Sequence, residues 1–204
     1  MPPVTGEAED IALWDIGTAL RQAIGAKPYS LMRAPLGWHV ASLPIHDPLE
    51  YLGADGAAGV GAGPGLAVGS ALALRGSGRL PIAVMGDGDY LMAVTALWTA
   101  ARHKIPMLIV IANNAGYYID EQHQVTTSLA RERPTETASI GQRINEPEVD
   151  LLAMARAQGF EIGGPVSRLG ELGSAIAAGI EAVENGRCHL IDVRIRPDYE
   201  GYPR

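Results

Sequence analysis

Two short apolar runs constrain this chain more than any other feature. Leu80-Pro-Ile-Ala-Val-Met85 leads into Gly86, and Met107-Leu-Ile-Val-Ile-Ala112 leads into Asn113-Asn114. Neither run alternates apolar with polar residues, so each is predicted as a strand buried on both faces of a parallel sheet. Between them, Tyr90 to His103 is rich in Ala and Leu and lacks Pro and Gly, which suits a helix. Pro106 marks the start of the second strand. Strand, helix and strand then form a right-handed βαβ unit. Neighbouring parallel strands lie about 5 Å apart. Asp87 and Asn114 therefore emerge side by side at the carboxyl edge, where open α/β sheets bind their ligands.

The residues at that edge carry a specific chemistry. Gly86-Asp87-Gly88 is followed, after 24 residues, by Asn113-Asn114. A hard, small cation such as magnesium wants about six oxygens. One carboxylate, one amide oxygen and a backbone carbonyl supply three, and a diphosphate and a water can supply the rest. Gly88 lets backbone amides approach phosphates, and the next helix is expected to point its N-terminus at them. The plain alternative is an ordinary turn in which Asp87 caps a helix. Gly-Asp-Gly alone favours that alternative; paired asparagines at this spacing after a buried strand reverse the balance.

With both motifs in view, the stretch Gly86 to Gly116 resembles the diphosphate-binding (C-terminal) domain of thiamine diphosphate-dependent enzymes of the acetolactate synthase, benzaldehyde lyase and decarboxylase type. Looser similarity extends over Gly53 to Arg194. The resemblance implies that Asp87 and the Asn114 side chain bind Mg2+, with the Gly116 carbonyl as a third ligand, because Asn-Asn-Ala-Gly-Tyr117 matches the family's pattern. It implies that Gly86, Gly88, Asp89, Tyr90 and Tyr117 belong to the cofactor site. Asp89 departs from the small residue common there, and a further carboxylate beside a diphosphate is unfavourable unless it points away. The glycine-rich segment Gly53 to Gly65, followed by the helical run Leu66 to Leu74, matches the family's preceding loop. By itself it reads equally as a nucleotide loop or as tight packing. On the match, Val60 is the apolar wedge beneath the thiazolium, and the Ala58 carbonyl accepts a hydrogen bond from the aminopyrimidine.

The remaining chain fits one domain. Its 204 residues, 47% apolar, are enough for a sizeable core. A net charge of −7 argues against a general nucleic-acid binder. The lone Cys188 excludes a disulfide framework and suits a reducing cytoplasm. No apolar run reaches membrane-spanning length, and the start, MPPVTGEAED, does not read as a signal peptide. Further elements are expected at Glu9–Ile24 (helix), Tyr29–Met32 (strand), Trp38–Leu43 (short helix) and Glu148–Gln158 (helix). Phe160–Ile162 (strand), Leu169–Glu184 (helix) and Cys188–Val193 (strand) follow. Such repetition indicates a doubly wound, mainly parallel α/β sheet with helices on both faces. The ordered core is expected over about 8–195, with a tail at 196–204.

Tyr117 to Arg143 reads as a polar interruption with little periodicity. Asp120 and His123 within it are candidates for proton transfer, since Tyr117-Tyr-Ile-Asp120 resembles a family stretch with a catalytic acid at that position. A solvated loop is the plain alternative. The histidines at 39, 46, 103 and 189 are too scattered for a metal cluster; His39 and His46 could reach the site from the first loop.

The resemblance also identifies what this stretch lacks. Family enzymes activate the cofactor with a glutamate on a separate pyrimidine-binding domain, for which 204 residues leave no room. The expectation is a complete, separately encoded subunit of a split enzyme, paired in a heterotetramer with the chain bearing that domain and its Glu. The substrate expected is a small carbonyl compound or 2-oxo acid, decarboxylated, cleaved or ligated next to its carbonyl. A non-catalytic assembly partner of the same fold is a second reading. A dinucleotide-binding oxidoreductase is a third, but it leaves the double asparagine unexplained.

Overall fold

The computed structural model describes residues 10–53 and 59–196. Five strands, all parallel, form one sheet in the order β1-β2-β3-β5-β4. They are β1 (Tyr29–Arg33), β2 (Leu80–Gly86), β3 (Met107–Asn113), β4 (Glu161–Val166) and β5 (Cys188–Arg194). The helices are α1 (Leu13–Ile24), α2 (Gly63–Ala73), α3 (Asp87–Ala93), α4 (Ala96–Arg102), α5 (Tyr118–Ala130), α6 (Leu151–Ala157) and α7 (Leu169–Glu184).

The continuous apolar runs behave as expected of strands covered on both sides. Ile82, Val84, Leu108 and Val110 face one core, shared with Leu20 of α1 and with Ile176 and Ile180 of α7. Their neighbours Ala83, Met85, Ile109 and Ile111 face a second core, shared with Ala67 of α2, Leu97 of α4 and Leu152 of α6. Right-handed crossovers explain this division. The path from β1 through β2 and β3 to β4 always moves the same way across the sheet, so its helices fall on one face. The return from β4 to β5 reverses direction and puts α7 on the other face, beside α1. Pro165 is tolerated because β4 is an edge strand.

Four local readings are corrected. The helix expected over Tyr90–His103 is two helices, α3 and α4, broken at Val94-Thr95, two residues whose branching at Cβ stiffens the turn. Trp38–Leu43 forms turns, not a helix, tied by Trp38 N–H to the Pro35 carbonyl (3.2 Å) and Ser42 N–H to the His39 carbonyl (2.9 Å). The first half of the polar interruption is helical, as α5, although Ile119 is that helix's one buried residue. Glu121 holds α5 to the following segment through Arg143 at 2.7 Å. The first helix also starts later than expected, at Leu13.

Candidate cofactor site

Gly86 pairs with Ala112 in the last rung shared by β2 and β3, so Asp87 and Asn113-Asn114 stand at the carboxyl edge of adjacent strands. Asp87 is 2% exposed and opens α3; Gly86, not Asp87, occupies the cap position. One Asp87 carboxylate oxygen accepts the Gly116 N–H at 2.9 Å. The Asn114 side-chain oxygen accepts the same N–H at 3.2 Å. Two acceptor oxygens thus converge on one donor. Glycine is required at 116: a Cβ there would stand 2.8 Å from the Gln142 carbonyl oxygen. That close approach lets the Gln142–Arg143 segment pair with the turn, Tyr117 N–H bonding the Gln142 carbonyl at 2.7 Å.

The two asparagines divide the work. The amide nitrogen of Asn113 donates to Asp192 at 2.9 Å, and its oxygen accepts the Ala115 N–H at 3.0 Å. Asp192 also meets Arg194 at 3.2 Å, and Arg194 meets Glu148 at 2.6 Å. Asn113 therefore ties β3 to β5 and shapes the turn, while Asn114 faces the cleft. Burial pushes the Asp192 carboxyl up, and the Asn113 hydrogen bond pulls against it.

Asp89, two residues beyond Asp87, is engaged by the Gly61–Gly63 loop and by Arg33. One carboxylate oxygen accepts the N–H groups of Gly61 (2.7 Å) and Gly63 (3.0 Å). The other accepts Arg33 Nε at 3.0 Å. Tyr90, expected to offer a backbone or side-chain group, has its ring in the core; its hydroxyl donates to the Leu151 carbonyl at 3.1 Å. Its side chain is spent on packing because it falls on the inner side of the first turn of α3. Gly88 lies under the Tyr117 ring, where a Cβ would come within 2.2 Å of Cε1.

Gly86, Asp87, Gly88, Asp89, Asn114, Gly116 and Tyr117 line one cleft, together with the apolar Val60, Pro35 and Leu36 and with Asp120. Val60 is 43% exposed there. Asp87, Asp89 and Asp120 bring three carboxylates to the lining, against one cationic side chain, Arg33. Burial raises the Asp87 carboxyl to about 6, the backbone amides of Gly88 and Gly116 opposing the effect. Burial, then Asp87, also pushes the Tyr117 phenol up. A lining of this kind repels a bare diphosphate and accepts one that arrives with a divalent cation. The donor set, a carboxylate and an amide oxygen converging on one point, suits a hard metal. Among the described residues, no three His, Cys, Asp or Glu side chains cluster so as to hold a metal ion by themselves. The cleft measures about 90 Å³, below the ~300–1,000 Å³ of a complete small-molecule pocket.

Other expected residues fall differently. His123 follows Asp120 by three residues on α5, is exposed, and is not among the cleft's lining residues. His39 packs edge-on against Trp14 at 5.6 Å, and the His46 N–H bonds Glu50 at 2.6 Å; neither lines the cleft. Ala58 and the tail beyond Arg196 lie outside the described residues. Arg33 was not foreseen, being 56 residues from Asp89 with no motif joining them.

Comparison with known proteins agrees with this geometry. The family described as "Thiamine pyrophosphate enzyme, C-terminal TPP binding domain" matches residues 35–193. Acetolactate synthase isozyme 3 large subunit of Escherichia coli (strain K12) is 27% identical over 160 residues, covering 78% of this chain and 26% of that protein. The 4-hydroxybenzoylformate decarboxylase of Rhodococcus jostii RHA1 superposes with a TM-score of 0.75 at 22% identity, over 98% of this chain and 35% of the other. Benzoylformate decarboxylase from Polynucleobacter necessarius does so with a TM-score of 0.75 at 22% identity, over 99% and 36%. At that identity the structural likeness speaks for the fold. The chain spans about a quarter of its acetolactate synthase relative. With the family's profile covering most of the chain and the acceptor pair standing at the β2–β3 edge, this protein belongs to the thiamine pyrophosphate enzymes, as their C-terminal TPP-binding domain.

Proposed function

We propose that this chain is the diphosphate- and Mg2+-binding subunit of a split thiamine diphosphate enzyme that breaks or makes a C–C bond next to a carbonyl. The observation that carries the reading is the convergence of Asp87 and Asn114 on one backbone N–H at the β2–β3 edge, in a cleft with excess negative charge. Asp87 and the Asn114 side-chain oxygen would hold the metal, with the Gly116 carbonyl as third ligand. Gly86, Gly88 and the backbone at Asp89 and Tyr90 would border the diphosphate. Val60 would support the thiazolium from below, with the Ala58 carbonyl beside the aminopyrimidine. Thiamine diphosphate, when bound, supplies the electron sink that a carbon next to a carbonyl lacks.

The chain's own contribution is binding, orientation and exclusion of water. Tyr117 covers Gly88, and Asp120 in the cleft lining is the candidate to move a proton, with His123 a second candidate from the same helix. The glutamate that activates the cofactor is assigned to a pyrimidine-binding domain on a partner chain, in a heterotetramer acting on small carbonyl compounds or 2-oxo acids in the cytoplasm. Among the described residues no helix is long and apolar enough to cross a membrane. Purified chain, with Mg2+ and thiamine diphosphate, is expected to turn over no 2-oxo acid, and coexpression with its partner to restore turnover. Turnover by this chain alone sinks the split-enzyme reading.

A further inference from the structure

The unexpected cluster around Arg33 joins three segments that are distant in sequence. Arg33 closes β1, Asp89 lies in the first turn of α3, and Gly59–Gly63 is the loop that carries Val60 and enters α2. Asp89 accepts the N–H groups of Gly61 and Gly63 on one oxygen and Arg33 Nε on the other. Arg33 donates through Nη2 to the Gly59 carbonyl at 3.3 Å. Both side chains are almost fully buried, at 7% and 8% exposed. The loop is thus held on both sides of Val60: at Gly59 by the guanidinium, at Gly61 and Gly63 by the carboxylate. The fit is tight, since a Cβ on Gly63 would come within 2.3 Å of the carboxylate.

A buried ion pair is a costly way to stabilise a fold, and apolar residues of similar volume often serve as well or better. What a charge pair adds here is directional hydrogen bonding to three backbone atoms of the loop, the Gly59 carbonyl and the Gly61 and Gly63 amides. We propose that Arg33 and Asp89 are positioning residues, a latch that fixes the Gly59–Gly63 loop so that Val60 is presented to the cofactor cleft. The proposal rests on the functional reading above. Asp89 is thereby assigned a role that its neighbour Asp87 cannot share: it orients the loop and touches no reacting atom.

Hydrogen exchange on the full chain, resolved by NMR, tests the latch without any ligand, and calorimetric titration with thiamine diphosphate and MgCl2 in the complex with its partner tests the consequence. In Asp89→Ala the Gly61 and Gly63 amides should exchange about tenfold faster or more, as expected on losing hydrogen bonds to a charged acceptor. Central amides of β2 and β3 should be unchanged. Affinity for the cofactor should fall about tenfold, and Asp89→Asn, which keeps the volume and one acceptor oxygen, should recover part of both losses. If Asp89→Ala does not fold, Asp89→Asn and Arg33→Lys carry the same comparison, with smaller local effects. Unchanged exchange at Gly61 and Gly63 overturns the latch. So does acceleration spread evenly through the sheet, because the pair would then serve the whole fold. Faster local exchange with unchanged affinity overturns the positioning role. Wild-type protein that binds no cofactor refutes the functional reading, while the exchange measurement still decides the latch.

Discussion

Asp87 and Asp89 are two buried carboxylates separated by one glycine, and their surroundings differ in kind. Asp89 has its charge answered by Arg33 and two loop amides. Asp87 is met by backbone amides alone, those of Gly88 and of Gly116, the latter shared with Asn114, and among the described residues no cation pairs with it. Burying a charge without a counter-ion costs more than burying a paired one, so the chain bears a larger cost at Asp87 than at Asp89. On the proposed function, the contrast separates a carboxylate that holds structure from one kept for a ligand.

The strongest way to break this contrast is to remove each carboxylate in turn. Asp87→Ala should abolish Mg2+-dependent binding of thiamine diphosphate in the assembled complex, at least about a hundredfold, as expected when a metal loses its charged ligand. Asp89→Ala should weaken it about tenfold, through the loop. Calorimetry at fixed Mg2+ ranks the two, and an equal loss for both erases the distinction.

Stability should move the opposite way. Asp87→Asn keeps the shape and the acceptor for Gly116 while removing the buried charge. The apo variant should be more stable than wild type at neutral pH, by up to roughly 3 kcal/mol for a carboxyl displaced to about 6. The sign follows from linkage. A carboxyl whose folded pKa is raised favours folding most when protonated in both states, below its ordinary value near 3.8, and that contribution is lost as pH rises through about 6. The advantage of Asp87→Asn should therefore be full above pH 7 and fade as pH falls toward 4. Urea midpoints at several pH values measure it; a pH-independent difference would place the cause elsewhere.

The smallest effects concern α5. Asp120→Asn should lower kcat of the assembled enzyme about tenfold or more with little change in KM, as general acid–base groups typically do. His123→Ala, outside the cleft, should stay within about twofold. Steady-state kinetics on both variants sharpens the assignment, and a larger loss at His123 reverses it.

What the sequence disclosed followed from burial. β2 and β3 are covered on both faces, so their residues form unbroken apolar runs, and their polar ends mark the sheet edge. The paired asparagines were legible as a motif, but their division of labour was not. Asn113 and Asn114 look alike in the chain, and only the β5 residue Asp192 tells them apart. Helix α5 escaped notice because Ile119 is its one buried residue, leaving no periodic face to read. Trp38–Leu43 misled in the other direction: its apolar residues belong to turns that pack on α1, where a Cβ on Gly17 would lie 3.3 Å from the Trp38 ring. Arg33 gave no signal, because the geometry that pairs it with Asp89 is made by the sheet.

The pairing of Gly86 with Ala112 carries a lesson for reading mutational scans. Asp87 and Asn114 meet because β2 and β3 stop in step, and a slip of one residue between them would displace one acceptor by about 3.3 Å. Ile82 and Val84 pair with Leu108 and Val110 along the same two strands, and all four pack in one core. Substitutions at those apolar sites would thus score as failures to hold the cofactor in chains that still fold, and a map coloured by loss of activity would trace the length of two strands beneath the site.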